Sequence, residues 1–529
     1  TATRGPIPAA VRDVIQRRLS RLPQSTTQLV VLAAVVGREF DLRTVASAAG
    51  WDLGDALDAV DLAVLAGLVT ESDDAPASYR FSHALVRDTV YAGTAGLRRA
   101  DLHAGVAKAL ASAPNADARL TELAHHFAEA AATLGPDQAI SFAVRAAAAA
   151  QAGLAFEAAE DHLRRALGLV EHLAPGPERD RREFEIVLAL ATLLSLIKSI
   201  ADTETGDAWA RATELGRRVE GPAEVLRSMW GVFIFALGRA DLERAEELAL
   251  QIAELAAEAP DESFAAAGHL ARGGVAFFLG RVGEARRQLE QGKAVCDTTP
   301  DLPATQVIYT DLPVSIDGYL AMVLALAGEP ATAGELSRGM VARATWLAHP
   351  FTLAIALQVD VVASMFSIDV PLLRTRSDEL LAVARSHHLR DFIDGAEVAQ
   401  GWLLAHEGDP GAGLALIGEA IARMRTTGQR AFWTLALGKL AEAHRQAGQL
   451  DEAVAVVDEA LAVVEDRGQR FYEAELHRIR GELLAAVGRH QEGESSLRRA
   501  VAVAGAQGAE LFRERAEGSL ARLLGPDTA

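Results

Sequence analysis

Hydrophobic and polar positions follow helical spacing from Val11 to Leu22, which predicts an amphipathic helix ending at Pro23. Ser25 can cap a second helix running to Val36, and a third, Leu42 to Ala49, should stop at Gly50. A fourth helical stretch covers Leu53 to Ala66. The pattern then changes: Gly67-Leu68-Val69-Thr70 and Tyr79-Arg80-Phe81 flank the turn-rich Asp73-Asp74-Ala75-Pro76, which predicts a short β-hairpin. Helices followed by a hairpin make a winged helix, so residues 1–110 read as one domain.

From residue 111 to 529 a second pattern holds. Gly408, Gly448 and Gly488 recur at a constant spacing of about 40 residues, each followed five positions later by a small residue (Gly413, Ala453, Gly493) and twelve later by Ala420, Ala460 and Ala500. A helix, a turn at the glycine and a second helix bury little alone, so such pairs must stack into a solenoid. Weaker copies keep the phase at Gly280, Gly328 and Ala240, with Ile368 in the slot between Gly328 and Gly408 and Leu154 in a first copy. Residues 180–225 fit poorly. The spacing resembles tetratricopeptide repeats stretched to about 40 residues, roughly eight helix pairs in all. The expected fold class is therefore all-α: a winged-helix domain followed by a tetratricopeptide-like α-solenoid superhelix.

In that fold the first helix of each pair faces inward. Its register gives Trp230, Ile234, Phe277, Met322, Met365 and Trp402 as a groove that is apolar in the middle, followed by a charged end at Glu442, Arg445, Arg478 and Glu482. Apolar, aromatic and methionine side chains suit a groove for a small apolar effector, or for a protein or peptide. A tightly wound superhelix would make the same residues core. On the groove reading Glu442 is dispensable for both binding and stability.

Composition narrows the function. The formal net charge of −20 opposes nucleic-acid binding, which depends on lysine and arginine neutralising phosphates. Between Thr44 and Tyr79, where a winged helix would read DNA, there is no lysine or arginine, while Asp52, Asp55, Asp58 and Asp61 are acidic. No apolar run reaches membrane-spanning length, and a single cysteine, Cys296, argues against a disulfide framework and for a reducing, cytoplasmic setting. Four lysines against 48 arginines point to a GC-rich genome.

Three segments carry a family resemblance: Val11-Arg12-Asp13-Val14-Ile15-Gln16-Arg17-Arg18-Leu19, Gly37-Arg38-Glu39-Phe40-Asp41, and Tyr79-Arg80-Phe81-Ser82-His83-Ala84-Leu85-Val86-Arg87-Asp88. Together they resemble the winged helix after the nucleotide-binding domain of STAND-class bacterial signal-transduction ATPases. That class includes large LuxR-family regulators, MalT-like activators, actinomycete antibiotic regulatory proteins and related cyclases. The resemblance implies a cytoplasmic signal-transduction and transcription-regulation role, with an effector in the concave face of the repeats controlling an ATPase in cis. The alternative is a docking scaffold for a regulatory protein or peptide. It also implies that His83 senses the phosphates of bound ADP. No GxxxxGK[ST] loop occurs in this sequence, so ATP or ADP is expected only in a missing ATPase domain, and the chain reads as the C-terminal part of a larger regulator.

Catalytic chemistry is not expected, since HExxH, GxSxG and Cys-His arrangements are absent from the sequence. His125-His126 and His387-His388 are adjacent on helices and point about 100° apart. Without further partners they read as surface histidines, and no metal site is expected.

Overall fold

A computed structural model of the chain describes residues 9–72, 77–219, 221–258, 262–299 and 310–525. The turn expected at Asp73-Asp74-Ala75-Pro76 lies outside the described residues. By compactness the chain divides into residues 1–186 and 187–529.

The first unit opens with α1 (Ala9–Leu19), α2 (Gln24–Val36), β1 (Glu39–Asp41), α3 (Leu42–Ala49), α4 (Leu53–Leu65), β2 (Val69–Glu71), β3 (Ser78–Phe81) and α5 (Ala84–Ala92). Aspartates begin two of these helices as their spacing requires: Asp41 accepts the Arg43 N–H and Asp52 the Asp55 N–H. Gly50 ends α3 in the left-handed region at φ 69°. Ser25 does not cap α2; the helix starts one residue earlier, after Pro23, with no side-chain cap. The hairpin also gains a strand, because β1 pairs antiparallel with β3 (Phe40 opposite Tyr79) to give the order β1-β3-β2. This helix–strand–helix–helix–hairpin order is the one expected of a winged helix. Its core joins Leu29, Val30, Phe40, Leu42, Val45, Val60 and Phe81.

The unit continues through α6 (Gly96–Ala111), α7 (Leu120–Glu129), α8 (Ala131–Leu134), α9 (Pro136–Ala152) and α10 (Phe156–Val170). The sequence pattern changes near residue 110, yet α6 packs on α2 and α3 and Val106, Ala107 and Leu110 enter the winged-helix core. Compactness therefore groups α6 to α10 with the winged helix.

After α11 (Pro177–Ile197) and α12 (Thr203–Gly216), antiparallel pairs follow: α13 (Pro222–Gly238) with α14 (Leu242–Glu258), α15 (Glu262–Phe278) with α16 (Val282–Thr298), and α17 (Leu312–Leu326) with α18 (Pro330–Leu347). After them come α19 (Pro350–Ser367) with α20 (Val370–Ser386), α21 (Arg390–His406) with α22 (Pro410–Thr427), α23 (Trp433–Gln446) with α24 (Leu450–Arg467), α25 (Glu473–Ala486) with α26 (His490–Gln507), and a last helix, α27 (Glu510–Leu524). The repeat phase has a backbone cause. Gly408, Gly448 and Gly488 sit at φ 103°, 74° and 84°, and the slots filled by Leu154, Ala240 and Ile368 are left-handed too, at φ 60°, 53° and 58°. A β-branched residue there is strained, so the turn geometry outranks the local preference. The small residue after each turn is a packing requirement: a Cβ on Gly413 would collide with the Gly401 carbonyl oxygen.

The repeat unit winds tightly. Arg430 donates its backbone N–H to Gly238 O (2.6 Å), Arg470 and Phe471 donate theirs to Phe278 O (2.9 and 3.2 Å), and Asp391 accepts from Ser199 Oγ and Ile200 N. Partners in this series stand about 192 residues apart, just under five repeats. One superhelical turn thus comes to rest on the next.

Asp391 offers a test of that seam. Burial pushes its carboxyl up to about 6, against hydrogen bonds from Ile200 and Ser199 that favour the charged form. Because the folded-state pKa lies above the unfolded value, the folded state holds the proton more readily, and stability should rise as pH falls through 6 toward 4. Asp391→Asn keeps an acceptor and removes the charge. It should stabilise the chain by about 2 kcal/mol at pH 7.5. Urea unfolding at pH 7.5 and pH 4.5 checks this, because the advantage over the parent should shrink to well under half at the lower pH.

Candidate functional site

The six positions expected to line a groove face inward, but the space they face is filled. Trp230, Phe277, Met322, Met365 and Trp402 are buried and Ile234 is half-buried against the same core. The tight winding is the cause. Rings from several repeats meet along the middle: Phe277 stacks on Phe471 at 5.1 Å, Phe278 meets Phe432 at 5.4 Å, Phe366 meets Phe512 at 5.8 Å, and Tyr472 meets Phe512 at 5.6 Å. Trp230, Ile234, Phe277, Met322 and Met365 are accordingly core, not lining.

Trp402 differs from the other five because a cavity of about 350 Å³ opens beside it, in the charged stretch of the same inward register. Trp402 and His406, one turn apart on α21, stack at 5.0 Å and form an aromatic wall. Ile368, in its strained turn, adds an apolar edge. Four arginines (445, 478, 515 and 522) and two glutamates (442 and 514) complete the charged lining.

A buried ion network holds this wall. The Trp402 Nε1–H donates to Glu442 Oε2 at 2.8 Å, and Lys439 Nζ donates to the same oxygen at 3.0 Å while lying 4.7 Å from the Trp402 ring centre. Arg478 grips Glu475 with two bonds, 3.0 and 2.8 Å, and reaches Glu482 at 2.8 Å. Arg445, Ser519 and Arg522 converge on Glu482 as well. Burial alone would raise the Glu442 and Glu475 carboxyls. Lys439 and Arg478 outweigh it at Glu442, which falls below its ordinary value, and Arg478 with Arg515 pulls Glu475 down to about 2. Both glutamates are therefore charged at neutral pH. The expectation that Glu442 is dispensable is corrected by these contacts, since it anchors both the wall and a buried lysine.

The network leaves donors over. Arg522 is 71% exposed at the rim, and Arg445 is about one-third exposed, with a single bond to Glu482. Lys439 and the four arginines face Glu442, Glu475, Glu482 and Glu514, so the cavity is close to charge balance, with the exposed arginine donors at its rim and an aromatic side. It can take an anionic group through the rim arginines and a flat or apolar group against Trp402.

His83 stands exposed at the start of α5, with no side-chain capping bond. The same unit exposes large apolar side chains: Leu85 on the same helix, Leu53, Leu57 and Leu65 on α4, and Leu97 on α6. The α4 aspartates Asp55, Asp58 and Asp61 are exposed too. His387 and His388 end α20 and do not join a ligand group, whereas His125 and His126 gain a partner that their sequence spacing hides. His103 from α6 brings three ring nitrogens within 4.8 Å of one another.

No family model matches this chain. An uncharacterized protein of Rhizobium meliloti (strain 1021) is 24% identical over 456 residues, which cover 84% of this chain; the chain spans 43% of that relative's length. Among solved structures, the Rap protein complexed with competence and sporulation factor aligns with 70% of this chain and 99% of its own, at 12% identity and a TM-score of 0.50. A STAND protein with a tetratricopeptide repeat sensor from Pyrococcus horikoshii aligns with 98% of this chain and 68% of its own, at 10% identity and a TM-score of 0.38. The likeness to the Rap protein establishes a helical-repeat fold of the tetratricopeptide type for most of the chain.

Proposed function

We propose that the repeat unit is the effector-binding part of a cytoplasmic regulatory protein, and that its site is the charged cavity beside Trp402. The observation that carries this reading is the pairing of an aromatic wall with four arginines in a strongly acidic chain. The effector is an anion joined to a flat or apolar group, such as an acidic metabolite or the carboxylate end of a short peptide. That revises the small apolar effector expected from the sequence, because the apolar middle of the superhelix is closed. The Rap protein, of similar fold, holds competence and sporulation factor, which supports a binding role for this architecture.

The winged helix serves the same regulator by docking to a nucleotide-binding domain rather than to DNA. The exposure of His83 and of several leucines of the same unit supports that role, as do the exposed carboxylates of α4. The resemblance of the Phe81-Ser82-His83-Ala84-Leu85-Val86 segment to STAND winged helices supports ADP sensing by His83 once an ATPase domain is present. The chain itself binds its effector without catalysing a reaction.

The test is a thermal-shift screen of the chain against anionic metabolites and short acidic peptides, repeated on Arg445→Ala/Arg522→Ala. A ligand present at 100 times its Kd should stabilise the parent by about 2.7 kcal/mol. The double variant, altered only at the rim, should fold normally and lose most of that shift. Hits that stabilise parent and variant equally would place the site elsewhere.

A further inference from the structure

The winged-helix unit carries a cluster of imidazoles unrelated to the effector cavity. His103 lies on α6 and His125 and His126 on α7; His103 and His126 are buried and His125 lies nearer the surface. Their ring centres form a compact triangle, with separations of 5.5 Å (His103 to His125), 5.0 Å (His103 to His126) and 5.2 Å (His125 to His126). Adjacent residues on a helix diverge, so His125 and His126 do not face one point unaided. They do so here because His103, brought across by the packing of α6 against α7, sits where the two rings can both reach it.

We propose that His103, His125 and His126 form a binding site for one zinc-class divalent transition metal, with the fourth position open to water. The chemistry of the donors fits. Neutral imidazole is a good ligand for zinc, nickel and copper, and three histidines with one open position is a known zinc arrangement. Zinc–nitrogen bonds of about 2.0–2.1 Å place tetrahedral ligand nitrogens about 3.3 Å apart. The three candidate nitrogens already lie within 4.8 Å of one another, with His103 Nδ1 and His126 Nδ1 at 2.8 Å. Small ring rotations close the set.

A supporting contact is also in place. Tyr91 Oη lies 3.0 Å from His103 Nε2. When His103 ligates through Nδ1, its Nε2 carries the proton and donates it to the tyrosine oxygen, the kind of outer contact that fixes ring orientation and tautomer. His126 then moves its own proton from Nδ1 to Nε2, so both nitrogens of the close Nδ1 pair become available without change of charge. Burial holds His103 and His126 well below the usual histidine range, which keeps their lone pairs free at neutral pH.

Charged groups on every neighbouring element affect the site. Glu129 on α7 lies close enough to His125 and Tyr91 to favour a cation. Arg99 on α6 and Arg87 on α5 oppose it, stacked on the Tyr91 ring at 4.9 and 4.6 Å, as do Arg119 ahead of α7 and Arg165 on α10. The all-nitrogen donor set tells against calcium or magnesium, which want carboxylate oxygens, while the surrounding positive charge weakens binding of any divalent ion, so only a metal with strong bonds to nitrogen would be held.

The experiment is a titration of the untagged, metal-free chain with Co²⁺, read by visible absorption, then displaced with Zn²⁺. One equivalent should give the intense band of tetrahedral cobalt, and Zn²⁺ should abolish it and raise the melting temperature. His103→Gln removes the central ligand but risks the fold. His125→Gln keeps the buried His103–His126 pair, so with an unchanged circular dichroism spectrum it should bind at least about tenfold more weakly. Tyr91→Phe should weaken binding by about tenfold, and His387→Gln/His388→Gln should leave it unchanged. Absence of a one-equivalent band, or a band of equal affinity in folded His125→Gln, would leave a hydrogen-bonded imidazole cluster only and overturn the proposal.

Discussion

Phe277→Ala should destabilise the repeat unit by about 3–5 kcal/mol, the range for emptying a large aromatic site in a packed core. Phe277 is 1% exposed and contacts Phe278, Tyr319, Phe366 and Phe471, rings contributed by four different parts of the superhelix. Losing it removes contacts within one superhelical turn and between turns together. Urea unfolding should show a lower midpoint. Effector affinity, measured well below that midpoint, should change little, because Phe277 does not line the charged cavity. An unchanged midpoint with selective loss of binding would restore Phe277 to an open groove.

Glu442→Ala should have an effect of similar size for a different reason. Removing one partner of a buried ion pair leaves the other buried and uncompensated, which costs about 3–5 kcal/mol. Here the abandoned groups are the Lys439 ammonium, 1% exposed, and the Trp402 indole N–H. Trp402 would also lose the bond that fixes the cavity wall, so both stability and effector binding should fall. Adding Lys439→Met should recover part of the stability but not the binding, because it removes the stranded charge without restoring the Trp402 contact. Thermal melts and effector titrations on the single and double variants separate the two effects. A Glu442→Ala chain that melts and binds like the parent would contradict the network described here.

The local geometry of this fold was legible in residue spacing to an unusual depth. The slots held by Ala240, Ile368 and Leu154 could be assigned although none is glycine, and each adopts the left-handed turn that its place demands. Such turns are set by neighbours a few residues away, and periodicity captures that. How tightly the superhelix winds was not legible, because that depends on small rotations accumulated over nearly five repeats and on partners far apart in sequence, such as Gly238 and Arg430. Hence Met322 and Met365 were read as lining an open groove, whereas both are buried in the core. The short strand β1 carries too little alternation to be seen. His103 was missed because it lies on a different helix from His125, across an irregular connection; only the packing of α6 on α7 joins them.

The most direct test of the closed superhelix is amide hydrogen exchange resolved at Arg470 and Phe471. Both precede α25 in a short connection, where an amide without a partner would exchange at the rate of an exposed loop. In the structure both donate to Phe278 O, one superhelical turn away. The account predicts protection comparable to the neighbouring helices, lost together with that of α15 when Phe277→Ala is introduced. Loop-like exchange at both amides in the parent chain would mean that the turns do not touch and that the interior is an open groove.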